Sequence, residues 1–210
     1  MIISHVYQYC FFSVPRTAST AISRFLVTHF SGEKRGKKHS SYTAFRESAT
    51  PAEQQYFTFA GVRHPMDSAV SEYFKKKNDH NGKFSRGQLR GGRPIHPEAM
   101  ERYRYLETTN ADFSDYFLKF YTKPYGTGFH EQTLRYMDFI IKYESLESDL
   151  KQVLALTGIP AESIELPKVN ATHKSNQGFK SFYSPEALER AREVFGFFME
   201  QYGYGITRDQ

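Results

Sequence analysis

Residues 7–26 read YQYCFFSVPRTASTAISRFL, and the fold turns on this stretch. The part 7–15 is aromatic and apolar and stops at Pro15, the pattern of a buried strand. From Ala18 the apolar positions fall at Ala18, Ala21, Ile22, Phe25 and Leu26, which is helical spacing. The two halves make a strand–turn–helix unit with its turn at 13–17. In an α/β protein such a turn is a natural phosphate site, because free N–H groups and the positive end of the helix dipole both face an incoming anion.

Outward from this unit the pattern repeats. A polar, basic loop, SGEKRGKKHS, covers 31–40. A short helical stretch is expected over 41–54, and a second strand over 56–62. Pro65 suits the first position of the next helix, whose buried stripe is Met66, Ala69, Val70, Tyr73 and Phe74. Helical patterning returns over 97–123, and 138–143 (DFIIKY) is a third buried strand. Leu146, Leu150, Val153 and Leu154 share one helical face, which Gly158 and Pro160 terminate. The stretch 160–183 is irregular, and a last helix begins at Pro185. Strands alternating with helices predict an α/β fold of three layers, α/β/α, around a mainly parallel central sheet. The whole of 1–210 is expected to be one domain.

Between 75 and 96 stand seven cations against the single acid Asp79, with glycines at 82, 87, 91 and 92. This composition predicts a mobile basic loop that builds no core. The chain carries 28 Lys+Arg and 23 Asp+Glu, a net charge of +5 that favours anionic ligands without separating nucleotide, nucleic acid and anionic sugar. The lone Cys10 excludes an internal disulfide, and the scattered histidines give no metal-ligand spacing. The N-terminal apolar stretch lacks the basic start of a signal peptide and is too short for a membrane span, so the cytoplasm is the expected compartment.

The turn itself, Pro15-Arg16-Thr17-Ala18-Ser19-Thr20, narrows the chemistry. A nucleotide kinase needs Gly-x-x-x-x-Gly-Lys-Ser/Thr; here Ser13 and Ala18 stand at the glycine positions and Ser19 at the lysine. The segment resembles instead the 5′-phosphosulfate loop of the sulfotransferases: Pro, Lys or Arg, Ser/Thr-Gly-Ser/Thr-Thr. It departs only at Ala18, a variant similar to that of carbohydrate-type branches. A second segment is similar to the family's 3′-phosphate motif, with Arg63 closing a strand, Pro65 in the turn and Ser71 eight residues after the arginine. A third, Tyr143-Glu144-Ser145-Leu146, resembles the segment whose tyrosine lies against adenine.

The resemblance implies a P-loop-like fold and a soluble enzyme that moves a sulfuryl group from 3′-phosphoadenosine 5′-phosphosulfate to an acceptor hydroxyl, with a sugar as the favoured acceptor. Adenosine 3′,5′-bisphosphate is the product, and no metal, nucleic acid or membrane is required. Arg16, Thr17, Ala18, Ser19 and Thr20 would hold the 5′ end of the donor, Arg63 and Ser71 the 3′-phosphate, and Tyr143 the base. Among Asn170, Lys174, Ser175 and Lys180, Lys174 is the choice for a further 3′ contact. The short Lys-x-His motif of many sulfotransferases is matched by Lys37-Lys38-His39, which makes His39 the base, Lys37 its partner lysine and His64 the rival. Two other classes compete: a phosphotransferase of similar fold, which lacks its lysine here, and a non-catalytic polyanion-binding module working through the basic loop.

Overall fold

A computed structural model describes residues 1–89, 91–160 and 178–205. In chain order the elements are β1 Ile2–Ser4, β2 Tyr9–Phe12, α1 Ser19–His29, β3 Glu33–Lys34, α2 Tyr42–Ser48, β4 Phe57–Val62, α3 Pro65–Lys77, α4 Pro97–Thr109, α5 Phe113–Phe120, α6 Glu131–Leu134, β5 Phe139–Lys142, α7 Leu146–Leu156 and α8 Pro185–Gln201. The chain forms two compact units. The first takes Met1–His64 and the described part of Gly126–Asn170; the second takes Pro65–Tyr125 and the described part of Ala171–Gln210.

The first unit holds a five-stranded mixed sheet in the order β3-β1-β2-β4-β5. β2, β4 and β5 are parallel, with Phe11 opposite Phe59 and Gly61 opposite Ile141. β1 is antiparallel to both β2 and β3, so four of the five strands share one direction. The expected single strand over 7–15 is therefore corrected. β2 is its four-residue centre, and the chain reaches it through a hairpin whose turn holds Gln8 at φ +51. β1 escapes a reading by periodicity because three residues are too few to show any.

All four residues of β2 are fully buried. Phe11 packs with Phe59, Ile22, Leu26, Leu150 and Val153, which joins α1 and α7 to the sheet. Phe12, one residue on and so facing the other way, meets Tyr42 and Phe45 of α2 at ring distances of 5.7 and 5.6 Å. Burial on both faces is why the strand reads as a continuous apolar run rather than an alternation. α7 ends as the sequence foretells: Gly158 takes φ +74, Gly158 N donates to Ala155 O at 3.1 Å, and Ile159 N donates to Leu154 O at 2.9 Å, the paired bonds of a Schellman cap.

The second unit is helical. α3, α5 and α8 enclose Met66, Val70, Tyr73, Phe113, Tyr116, Phe117 and Phe195. Two of its buried hydroxyls are spent on backbone: Tyr73 Oη donates to Ala111 O and Tyr183 Oη to Met66 O, each at 3.0 Å. The expectation that 75–96 builds no core is corrected here. Lys75, Lys76 and Lys77 are the last turn of α3. Phe84 and Ile95 are buried in a small cluster with Tyr103 of α4, whose ring stacks on Phe84 at 5.3 Å. Asp79, the one acid in the stretch, accepts from Phe84 N at 2.8 Å and from Ser85 N, which closes the turn beneath that cluster. No described helix is long and apolar enough to cross a membrane.

Candidate active site

β2, β4 and β5 run parallel, so their carboxyl ends lie along one edge of the first unit, the edge at which open α/β sheets bind ligands. The loop 13–18 leaves β2 there, Arg63 follows β4, and Tyr143 follows β5. The sequence thus delivers three of its candidate segments to one place.

The loop's backbone is unusual. Arg16 sits at φ +71 and Ala18 at φ +58, both in the left-handed region. A non-glycine residue there costs about 1–2 kcal/mol. Ala18 stands where the sulfotransferase pattern has glycine, and it keeps the conformation that glycine adopts freely. Among the described residues, the N–H groups of Thr17, Ala18, Ser19 and Thr20 have no acceptor, the orphan donors of a helix start. Thr17 is buried, and its hydroxyl donates to Val14 O at 3.0 Å. It braces the loop, and that proton is not turned to a ligand.

Gly61 permits this arrangement. A Cβ at that position would lie 2.9 Å from Thr17 Oγ1 and 3.0 Å from Thr17 Cβ, so β4 can pass beneath the loop only without a side chain. A glycine inside an otherwise apolar strand is the signal that could have revealed it.

His39 comes to the same loop from the segment between β3 and α2. Its Nδ1 lies 2.6 Å from Ser13 O. A carbonyl only accepts, so Nδ1 carries the proton and Nε2 keeps its lone pair. Burial holds the imidazole below its usual range, the bond to Ser13 opposes that shift, and the neighbouring Lys38 charge adds to it. The ring is therefore neutral at physiological pH, the form a general base needs. Phe129 meets it edge-on with centroids 6.5 Å apart. Lys38, rather than Lys37, reaches the loop: its ammonium donates to Thr20 Oγ1 at 2.8 Å, leaving the Thr20 O–H as a donor. Lys37 is exposed, and its carbonyl accepts from Ser40 Oγ at 2.9 Å.

Arg63 is buried, with its guanidinium 4.2 Å above the centre of the Tyr143 ring, a cation–π contact. One of its nitrogens donates a long bond of 3.5 Å to Arg16 O. His64 N donates to Glu144 Oε1 at 2.8 Å, so the segment after β5 clasps the segment after β4. The His64 side chain is buried beside this clasp. Ser71 is buried on α3 in the second unit. Lys174, Asn170 and Ser175 lie outside the described residues. Among the described residues, no three His, Cys, Asp or Glu side chains gather as metal ligands.

Comparison with known proteins returns a family. The model of the sulfotransferase family matches residues 1–205. No curated protein and no solved structure matches the chain.

Proposed function

The chain belongs to the sulfotransferase family, and from that premise we propose that it transfers a sulfuryl group from 3′-phosphoadenosine 5′-phosphosulfate to an acceptor hydroxyl, with a sugar as the favoured acceptor. The bound donor supplies the sulfuryl group and departs as adenosine 3′,5′-bisphosphate. The single observation that carries the reading is the bond from His39 Nδ1 to Ser13 O, because it fixes a base against the loop that would hold the donor.

In this reading Nε2 of His39 takes the proton of the acceptor hydroxyl as its oxygen attacks. Arg16, the Thr20 hydroxyl and the unpaired N–H groups of 17–20 neutralise charge building on the leaving phosphate. Ser19 is buried at the first turn of α1 and closes the loop behind them. Arg63 would read the 3′-phosphate, held by the face of Tyr143, which leaves the other face of that ring for the adenine. Ser71, Lys174 and Lys37 keep the supporting roles that the family resemblance gives them. A three-layer, P-loop-like arrangement goes with the reading, supported by Phe11 and Phe12 packing helices on opposite sides of β2. The family match runs through both compact units, which favours one functional domain over 1–210. A cytoplasmic location suits the single thiol of Cys10, buried and pushed up to about 12 by that burial.

Ligand-dependent melting tests the reading. Adenosine 3′,5′-bisphosphate at about a hundred times its dissociation constant should add roughly 2.7 kcal/mol. At roughly 2–4 °C per kcal/mol the melting temperature should rise by several degrees, with little change from ADP or ATP–magnesium. A rise with ATP–magnesium alone would exclude the sulfotransferase reading.

A further inference from the structure

A cavity of about 460 Å³ opens beside the candidate loop within the first unit, of the size that small-ligand sites take. Ser13, Thr20, Ser23, Arg24, Lys34 and Lys38 line it. Thr20, Ser23 and Arg24 are spaced i, i+3 and i+4 on α1, so they share one face of that helix, while Lys34 is the end of β3 and Lys38 approaches from the loop beyond it.

The charge in this cavity is one-sided. Several cations of the chain are coupled to carboxylates, as in Lys151–Glu147, Arg190–Glu193, Arg192–Glu189 and Arg35–Glu53. Among the described residues no carboxylate lies within ion-pair distance of Arg24, Lys34 or Lys38, and none lines the cavity. Lys38 spends its ammonium on a neutral hydroxyl. Its own proton is weakened, first by burial and then by the charge of Arg24, so the two like charges that line this cavity act on each other. Such a cluster gains most from an anion that enters it, because each charge-assisted bond then replaces a repulsion.

Resting on the sulfotransferase reading, we propose that this cavity is an acceptor subsite for an oxyanion, and that Arg24 and Lys34 bind a carboxylate or sulfate ester carried by the acceptor. Lys38 and Thr20 join the subsite to the transfer loop, and Ser13 gives one wall to the cavity and its carbonyl to His39. An acid group held there anchors the acceptor beside the residues that act on its hydroxyl. Specificity would then come from charge one subsite away from the reacting oxygen.

The test uses the full chain and two matched probes: a β-1,4-linked glucuronic acid hexamer and cellohexaose, which differ only in carboxylate for hydroxymethyl. Binding of each is measured by calorimetry at low salt, beside binding of adenosine 3′,5′-bisphosphate. The acidic hexamer should bind at least tenfold more tightly than cellohexaose. Arg24→Gln with Lys34→Gln should remove at least a tenfold share of that affinity, as expected for charge-assisted bonds, and leave bisphosphate affinity within about twofold. The single variants, each expected to give part of the loss, stand in should the double variant lose its cooperative melting. Equal binding of the two hexamers, binding of neither, or an acidic-hexamer affinity untouched by the substitutions overturns the subsite, whatever the bisphosphate does. A charge-dependent loss in a chain that fails to bind bisphosphate upholds the oxyanion site and removes the sulfotransferase reading instead.

Discussion

At the scale of single residues, the tautomer of His39 is the most consequential detail. The Ser13 carbonyl settles which nitrogen is bare, and the bare nitrogen is the one that can take a proton. His39→Ala should lower kcat by about a hundredfold or more, the usual worth of a general base, while bisphosphate affinity stays within about twofold. The pH profile is a sharper readout. Burial and the Lys38 charge both hold the imidazole low, so kcat/KM should rise through an acid limb below the ordinary histidine range and be flat at neutral pH. Lys38→Met removes one of those causes and should move the limb to higher pH; a limb that stays in place in the variant would show that His39 is not the titrating group. Gly61 acts through space alone. Gly61→Ala drives a methyl group into Thr17 and should cost about 1–3 kcal/mol, as overpacked sites do. It should also weaken bisphosphate more than a substitution far from the loop, measured by urea unfolding beside ligand titration.

At the scale of elements, the segment that carries His39 is held from behind. The Arg35 guanidinium pairs with buried Glu53, donates to Ser48 O at 2.9 Å and lies 5.7 Å over the Phe45 ring. Glu53 in turn accepts from Thr50 N at 2.7 Å, so a single carboxylate ties the basic loop to the turn before β4. Glu53→Gln should cost about 1–3 kcal/mol, below the 3–5 of a fully buried pair because Arg35 is partly exposed. It should lower kcat while leaving the donor KM nearly unchanged, since it loosens His39 and spares the loop 13–18; Glu53→Asp, which keeps the carboxylate, should retain part of the rate. Most elements were legible in the sequence for plain reasons. β2, β4 and β5 are apolar runs, α1 and α7 show clean helical stripes, and Gly158 stops α7 where a left-handed cap belongs. The loop 13–18, Arg63, Tyr143 and His39 were legible through motif spacing. What stayed hidden depends on contacts between distant segments. The three residues of β1 carry no period. Lys38 reaches Thr20 only once β3 has turned the basic loop back along α1. The burial of Phe84 and Ile95 was masked by the glycines and cations around them, because composition averages away two anchoring side chains.

At the scale of the whole molecule, two cores of different kinds divide the work. One is a sheet with helices that carries the candidate loop 13–18, Arg63 and His39; the other is helical and is built from aromatic rings around Phe117 and Phe195. The stability of the whole should depend on pH through a group outside the reaction. Burial drives the imidazole of His130 down to about 4, against about 6.5 in an unfolded chain. Between those values the unfolded chain binds a proton that the folded chain refuses, so folding stability present above about 6.5 is lost as pH falls towards 4. Glu53 also has a lowered value, set chiefly by its bond from Thr50 N, but its contribution fades below the ordinary carboxylate range and so in a more acid window. Comparing pH 7 with pH 5 therefore leaves the carboxylates out and reads the two histidines held low, His130 foremost and His39 beside it. The protein should lose about 1–2 kcal/mol between these two conditions, a figure that allows for partial solvent access to the ring. His130→Gln cannot take up that proton, so it should lose clearly less stability over the same interval, keeping only the share that His39 carries. Chemical denaturation of both chains at pH 7 and pH 5 gives the comparison, and equal losses in the two would show that His130 does not carry the effect.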